Sequence, residues 1–562
     1  MAMTTERDES QDTVQQPQAT PLRVKQRPAQ SIQEYHRYCP GEERIRISDA
    51  ICFGRRRSNF PKCVGCQFND DEKKDKPVPV PLPGAAASIE EADRRRIERL
   101  FRQCDILGTC PDMLDQEMAW RVGLATSLFL KSELRGYDRS QVEKATVVVG
   151  IDMRKTSREL AESLIEGLRS GGSPVIDIGM IDTPQLYFAV NRLGACGGVQ
   201  VTGGNRPATH NGFKLCGQKG RTITSETGLV KISKTVLNTT RHSAPQMPDL
   251  RRLDLSGPYK EYVRSFLADP VTGFDSERPL KLVVDASNGM AGRWLPIIFD
   301  DVEWLEITPL NFEHNGEFSH DPDPLVEDNL KPLQERLLRI NAELGVCFDG
   351  DADCCVFVDN KAQPIRADTL GALLARELLK SNPGQSVIYD LRSSRALPEE
   401  IRKAGGLPRR ERGNQAFVKK AIADAKGLFA CELNGRYYYR DNFYCESAII
   451  TLVHVLNILT ETGRPLDELV ASLKRYARSG ERRFRLDGKT DIVAVLSDKY
   501  NNGSINYLDG ITVIFEDWWF NARPAADRSF VELNVEAINE AMLKAKLAEL
   551  SQLLGDPLVN GA

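Results

Sequence analysis

The string Phe348-Asp349-Gly350-Asp351-Ala352-Asp353 constrains this chain more than any other stretch of its length. Three carboxylates alternate there with small residues. The hydrophobic run Leu344 to Val346 leads in and Cys355-Val356-Phe357-Val358 leads out, which predicts strand, tight loop, strand with the acids converging at the loop. Three convergent carboxylates cannot all stay ionised unless a cation shares their charge. A hard, oxygen-seeking ion such as Mg²⁺, held by Asp349, Asp351 and Asp353, is the natural occupant. A solvated acidic turn would carry the same letters, so the rest of the chain has to decide between the two.

A chain of 562 residues has room for three to five domains, each with its own core. Short β-branched runs such as Val147-Val148-Val149 alternate with amphipathic stretches at 157–170 and 368–380, the pattern of α/β layers. A net charge of −4 gives no electrostatic basis for a nucleic acid or an anionic membrane as partner. The chain contains no apolar run long enough to span a bilayer, and its polar N-terminus lacks the apolar stretch of a signal peptide. Thirteen cysteines, an odd number scattered along the chain, fit reduced thiols and a cytoplasmic location.

The N-terminal part reads differently from the rest. Residues 1–35 are polar, lack periodicity and are expected to form a disordered tail. Residues 36–68 hold Cys39, Cys52, Cys63 and Cys66 with His36 close by, a C-x-x-C pair, and the basic run Arg55-Arg56-Arg57. Four thiolates this close suggest a small metal module, with Zn²⁺ and an iron–sulfur cluster as the two candidates and unligated thiols as the third reading. Such a module also offers a surface to a protein partner. Residues 69–96 form a proline-rich linker, stiff from Pro77 to Pro83, followed by a lead-in helix.

From about residue 97 to residue 556 the chain resembles the alpha-D-phosphohexomutase superfamily, in its phosphomannomutase/phosphoglucomutase branch. The resemblance rests on the acidic loop, which is similar to the family's DGDADR, and on motifs in unbroken order around it. These are Val147 to Arg154 with Ser157, Ile176-Asp177-Ile178-Gly179, Thr183 to Phe188, Gly198 to Thr202, Asn211-Gly212-Phe213-Lys214, Val284 to Gly289, Glu432-Leu433-Asn434-Gly435, Arg523-Pro524, and Leu533 to Ala537. The implied fold is α/β: three similar α/β domains with mixed sheets, at 97–250, 251–360 and 361–475, and a C-terminal α+β domain at 476–556, around a central cleft. The implied chemistry is Mg²⁺-assisted phosphoryl transfer between a phosphoserine and a hexose phosphate. The implied site comprises Lys214 near the nucleophile, Asn211, Glu432, Asn434 and Arg436 facing the sugar, and Arg523 on the distal phosphate.

Several working parts of that pattern are replaced. The family's loop T-A/G-S-H-N-P reads Thr202-Gly203-Gly204-Asn205-Arg206-Pro207 at identical spacing, so Gly204 stands at the serine and Asn205 at the next residue. The arginine of Y-D-I-R-G is Leu107, and the arginine after the third aspartate is Cys354. A lysine and a histidine expected in the third domain are Arg392 and Asn414. In the phosphate loop two hydroxyls become Ala525 and Asp527, and the last arginine becomes Glu532. A carboxylate in place of that cation is expected to repel a phosphate by on the order of several kcal/mol. The expectation is a family member that binds a sugar phosphate or a partner without phosphoserine-dependent mutase activity. The alternative is an active mutase using Thr209, beside His210, as a non-standard nucleophile.

Overall fold

The computed structural model describes residues 36–38, 46–48, 91–134, 145–242, 247–271, 273–486, 491–525, 529–555 and 557–558. The chain forms two units, Met1–Ala85 and Ala86–Ala562. In the first, strands His36–Tyr38 and Arg46–Ser48 pair antiparallel. Cys39, Cys52, Cys63 and Cys66, with the proposed tail and the proline-rich linker, lie outside the described residues.

The second unit is built on four sheets. Val147–Ile151 is buried along its whole length, as a β-branched run covered on both faces must be. It lies at the centre of six strands in the spatial order Ile106–Thr109, His210–Gly217, Gly197–Val201, Val147–Ile151, Val175–Met180 and Leu250–Arg252. The last four are parallel; His210–Gly217 runs opposite to them, and Ile106–Thr109 pairs antiparallel with it in turn. The second sheet follows the order Leu305–Leu310, Leu280–Asp285, Leu344–Phe348, Cys355–Asp359 and Pro364–Ile365. The third runs Leu407–Glu411, Ser386–Asp390, Phe429–Cys431, Tyr437–Tyr439 and Cys445–Glu446. Both have three parallel strands followed by two antiparallel ones. These are the three mixed-sheet α/β domains anticipated from the sequence.

The repetition positions the site. In each of the three sheets the last parallel strand turns back into an antiparallel neighbour, and the connections are residues 202–209, 349–354 and 432–436. One continuous apolar core joins the three layers and includes Leu186, Tyr187, Trp294, Leu373 and Leu456. The fourth sheet is entirely antiparallel. It runs Ser504–Asn506, Ile511–Ile514, Trp518–Pro524, Phe530–Ala537, Ala477–Arg485 and Pro557–Leu558, with the helices Ile492–Lys499 and Glu540–Leu554. It has a core of its own around Phe484, Trp518, Phe520 and Leu533.

Candidate functional site

The acidic loop joins Leu344–Phe348 to Cys355–Asp359, whose register sets Phe348 opposite Cys355. Asp349 makes the turn by accepting the backbone N–H groups of Asp353 and Cys354 on Oδ1, each at 3.1 Å. All three aspartates are buried, and one oxygen from each lies within 4.8 Å of the others. Lys214, from the strand His210–Gly217, donates to Asp351 Oδ2 and Asp353 Oδ2 at 2.6 Å each. Thr183 donates its hydroxyl to Asp351 Oδ2, and the Arg436 guanidinium pairs with Asp353 Oδ1 at 2.8 Å.

Three carboxylates thus face two cations. Burial raises the carboxyl pKa of Asp349 well above its usual range, and the charges of Asp353 and Asp351 add to the rise. Asp351 is raised for the same two reasons. Burial acts on Asp353 too, but Arg436 and Lys214 outweigh it and hold that carboxyl below its usual range. Asp349 Oδ2 and Asp351 Oδ1 are buried without a hydrogen-bond donor. Two unpartnered carboxylate oxygens beside a third aspartate suit a small divalent cation, which takes oxygen ligands and supplies the missing positive charge.

Residues 202–209 bring the first domain to this loop. Gly204 is buried with φ +55°, and a β carbon on it would stand 3.6 Å from Asp351 Oδ1 and 3.7 Å from Lys214 Nζ. The position therefore faces the acidic loop but carries no reactive atom. Arg154 holds the segment from below. Its NH2 donates to the carbonyls of Gly204 at 2.9 Å and Arg206 at 2.7 Å, and its NH1 to those of Pro207 at 2.7 Å and His210 at 2.9 Å. Asn205 donates to Asp323 at 3.1 Å.

Thr209 is exposed. Its hydroxyl meets His210 Nδ1 at 3.2 Å and its carbonyl accepts from Cys110 N–H at 2.8 Å, toward the edge strand rather than the aspartates. Asn211 is buried with its amide donating to Thr156 and Ser157, both at 2.9 Å, so it braces the loop's base.

The third connection supplies Glu432, Asn434 and Arg436. Glu432 accepts from Tyr438 and, at 3.3 Å, from Asn434, and burial pushes its carboxyl pKa up to about 7. This loop and the acidic loop touch directly: Cys354 Sγ donates to Asn434 O at 2.7 Å and Cys355 N–H to Gly435 O at 3.0 Å. Between the first and third domains lies a cavity of about 200 Å³, lined by Cys104, Asp105, Tyr187, Lys214, Asn414, Gln415, Asn434 and Arg436. Its walls are mostly uncharged polar groups, together with Asp105 and the two cations that pair with the acidic loop.

Arg523 sits in the fourth sheet directly across from Glu532. It forms an ion pair with Glu532 and reaches Glu481 and Asp509 at 3.4 Å each. Glu532 also takes Arg483 at 3.0 Å. The sequence expectation made Glu532 a group that repels a distal phosphate; in the structure it is bound to the arginine that would hold one. Arg392, where a lysine was anticipated, pairs with Asp390 and, at 3.1 Å, with Glu481. Ala526, Asp527 and Arg528 lie outside the described residues.

Sequence reasoning missed Thr183, Arg154 and Asp323 as members of the site. Thr183 and Arg154 stand in recognised motifs, but their contacts cross between distant segments and leave no local signal.

With this geometry in hand, the chain compares as follows. Residues 98–242, 260–362 and 366–476 match the phosphoglucomutase/phosphomannomutase alpha/beta/alpha domains I, II and III. Phosphohexose mutases of Xanthomonas campestris pv. campestris are 32% identical over 460 residues, covering 81% of this chain and 98% of theirs. The phosphomannomutase of Escherichia coli K12 is 30% identical over 473 residues, covering 81% of this chain and 99% of its own. Among solved structures, a phosphoglucomutase/phosphomannomutase family protein from Burkholderia thailandensis matches with a TM-score of 0.71. It is 28% identical and covers 81% of this chain and 96% of that one.

Proposed function

This chain belongs to the phosphoglucomutase/phosphomannomutase family of the alpha-D-phosphohexomutase superfamily, and on that premise we propose that it binds a hexose phosphate without relaying a phosphoryl group through its own side chain. The observation that carries this is Gly204. A β carbon there would stand at contact distance from Asp351 Oδ1 and Lys214 Nζ, so a side chain at this position would face the acidic loop, and glycine puts no oxygen there. Phosphoryl transfer rests on positioning and charge stabilisation, and both need an acceptor atom in line.

Asp349, Asp351 and Asp353 would hold Mg²⁺, which when bound supplies positive charge to a phosphate oxygen. Lys214 orients two of those carboxylates and lines the cavity. Asn434, Asn414 and Gln415 line the cavity as uncharged polar groups, each amide already held by a protein partner, and Glu432, held by Tyr438, fixes the loop from which Asn434 projects. The described residues around Arg523 leave a second phosphate poorly held, since that arginine already meets three carboxylates. A ligand with one phosphate fits these surroundings better than a bisphosphate.

Incubation with glucose 1,6-bisphosphate, followed by intact-mass measurement, is the test. The expected result is an unchanged mass, together with calorimetric binding of glucose 6-phosphate. A stoichiometric gain of one phosphoryl group, mapped to Thr209 or Thr202, would establish the alternative reading, an active mutase with a substitute nucleophile.

The proposal extends to the N-terminal unit, where Cys39, Cys52, Cys63 and Cys66 would hold zinc or an iron–sulfur cluster and present a surface to a protein partner. Metal analysis of the purified protein and of its cysteine variants decides this. A cytoplasmic location is part of the same reading. Among the described residues no helix is long and apolar enough to cross a membrane.

A further inference from the structure

The acidic loop has six carboxylate oxygens, and their partners are unequal. Asp349 Oδ1 is taken by two backbone N–H groups, Asp351 Oδ2 by Lys214 and Thr183, and Asp353 Oδ2 by Lys214. Asp349 Oδ2, Asp351 Oδ1 and Asp353 Oδ1 have no hydrogen-bond partner. A cation that takes one oxygen from each aspartate finds the first two open. The third, Asp353 Oδ1, is held in an ion pair by Arg436 at 2.8 Å.

Arg436 is the more easily displaced of the two cations. Lys214 bridges two aspartates with a pair of 2.6 Å bonds. Arg436 makes one ion pair, and its Nε is buried with no hydrogen-bond partner. The backbone of Arg436 is fixed, its carbonyl accepting from Glu432 N–H at 3.0 Å and its own N–H donating to Asn434 Oδ1 at 3.2 Å. Its side chain nevertheless borders the 200 Å³ cavity and has room to turn into it. A divalent ion on the aspartates would also repel a guanidinium held against one of them.

We infer that Arg436 is a tethered counter-cation that competes with a divalent ion for Asp353, and that binding of the ion releases its guanidinium into the cavity to meet an anionic ligand. The inference rests on the reading that the aspartates take such an ion. It makes the two binding events mutually reinforcing, because each lowers the cost of the other by the same factor.

The experiment measures Mn²⁺ affinity by electron paramagnetic resonance on the full chain, for wild type, Arg436→Gln and Arg436→Lys, with Asp351→Asn as the control for the site. Arg436→Gln is expected to bind Mn²⁺ about tenfold more tightly than wild type, equivalent to about 1.4 kcal/mol. Arg436→Lys should stay within about threefold of wild type, since it keeps a cation on the same stem. Glucose 6-phosphate should tighten Mn²⁺ binding in wild type and lose that effect in Arg436→Gln. Should Arg436→Gln not fold, Arg436→Met gives the same comparison, and the glucose 6-phosphate effect on wild type needs no variant. Equal or weaker Mn²⁺ binding in Arg436→Gln, with Asp351→Asn still abolishing it, would overturn the competition and leave the metal reading intact. No Mn²⁺ binding in any form, or binding unaffected by Asp351→Asn, would remove the metal reading and this inference with it.

Discussion

The acidic loop and the corner around Arg523 are both clusters of opposite charges, yet they end in opposite states. At Asp349, Asp351 and Asp353 the acids outnumber the cations, and two buried oxygens are left without partners. At Arg523 the guanidinium meets Glu532, Glu481 and Asp509, while Glu532 also holds Arg483 and Glu481 also holds Arg392, so the charges of that corner are spent on one another. Both regions keep the residue their family uses. Only one keeps unused capacity. A functional residue retained in a sequence is therefore informative only together with what its neighbours leave open to a ligand.

The largest effect is expected from removing one of the two cations of the first cluster. Lys214→Met leaves buried carboxylates facing one another, and stability measured by urea unfolding should fall by about 3 kcal/mol. Millimolar Mg²⁺ should return most of that loss, because an ion bound only to the folded state stabilises it. A variant that is weakened but indifferent to Mg²⁺ would mean that the open oxygens are no metal site.

In the second cluster the change runs the other way. Glu532→Gln removes one of the three acids on Arg523. By calorimetry, affinity for glucose 1,6-bisphosphate relative to glucose 1-phosphate should rise about tenfold, or ~1.4 kcal/mol. An unchanged ratio would place the second phosphate away from this corner.

The smallest effect is expected at Gly204, which faces the first cluster without adding a charge to it. Gly204→Ser puts a side chain on a left-handed backbone and should cost about 1 kcal/mol of stability. It should not create mutase turnover, because Asn205 and Cys354 still stand where the family pattern has a histidine and an arginine, and catalytic groups that act as a unit give little when restored singly. Turnover of mannose 1-phosphate above ~1 s⁻¹ would show that the rest of the cleft was already competent.

What could be read from the sequence was whatever is local. The acidic loop, the glycine at the nucleophile position and the α/β alternation all lie within a few residues of their own signals. The role of Glu532 was not readable, because its pairing with Arg523 depends on strand register between Trp518–Pro524 and Phe530–Ala537. Arg436 was anticipated as a sugar-facing residue, and its ion pair with Asp353 depends on how the second and third domains pack. Asn211 shows the same limit from the other side: its motif position suggested a ligand contact, whereas its amide is committed to Thr156 and Ser157. Thr183 was passed over because a threonine at a helix start is ordinary until an aspartate 168 positions away accepts its hydroxyl.

The three connections at 202–209, 349–354 and 432–436 hang from sheets of matching order, and each is anchored at both ends by strands buried in the apolar cores. A site divided among such hairpins is insured against its own losses. One hairpin can exchange a side chain while the strands that carry it keep their register. The loops nevertheless press on one another, Cys354 and Cys355 bonding to the backbone at 434 and 435 and Gly350 lying against the Gly204 carbonyl. A substitution in one hairpin is therefore felt by the other two, and such a site drifts by small residues that fit the shared seam, not by whole loops.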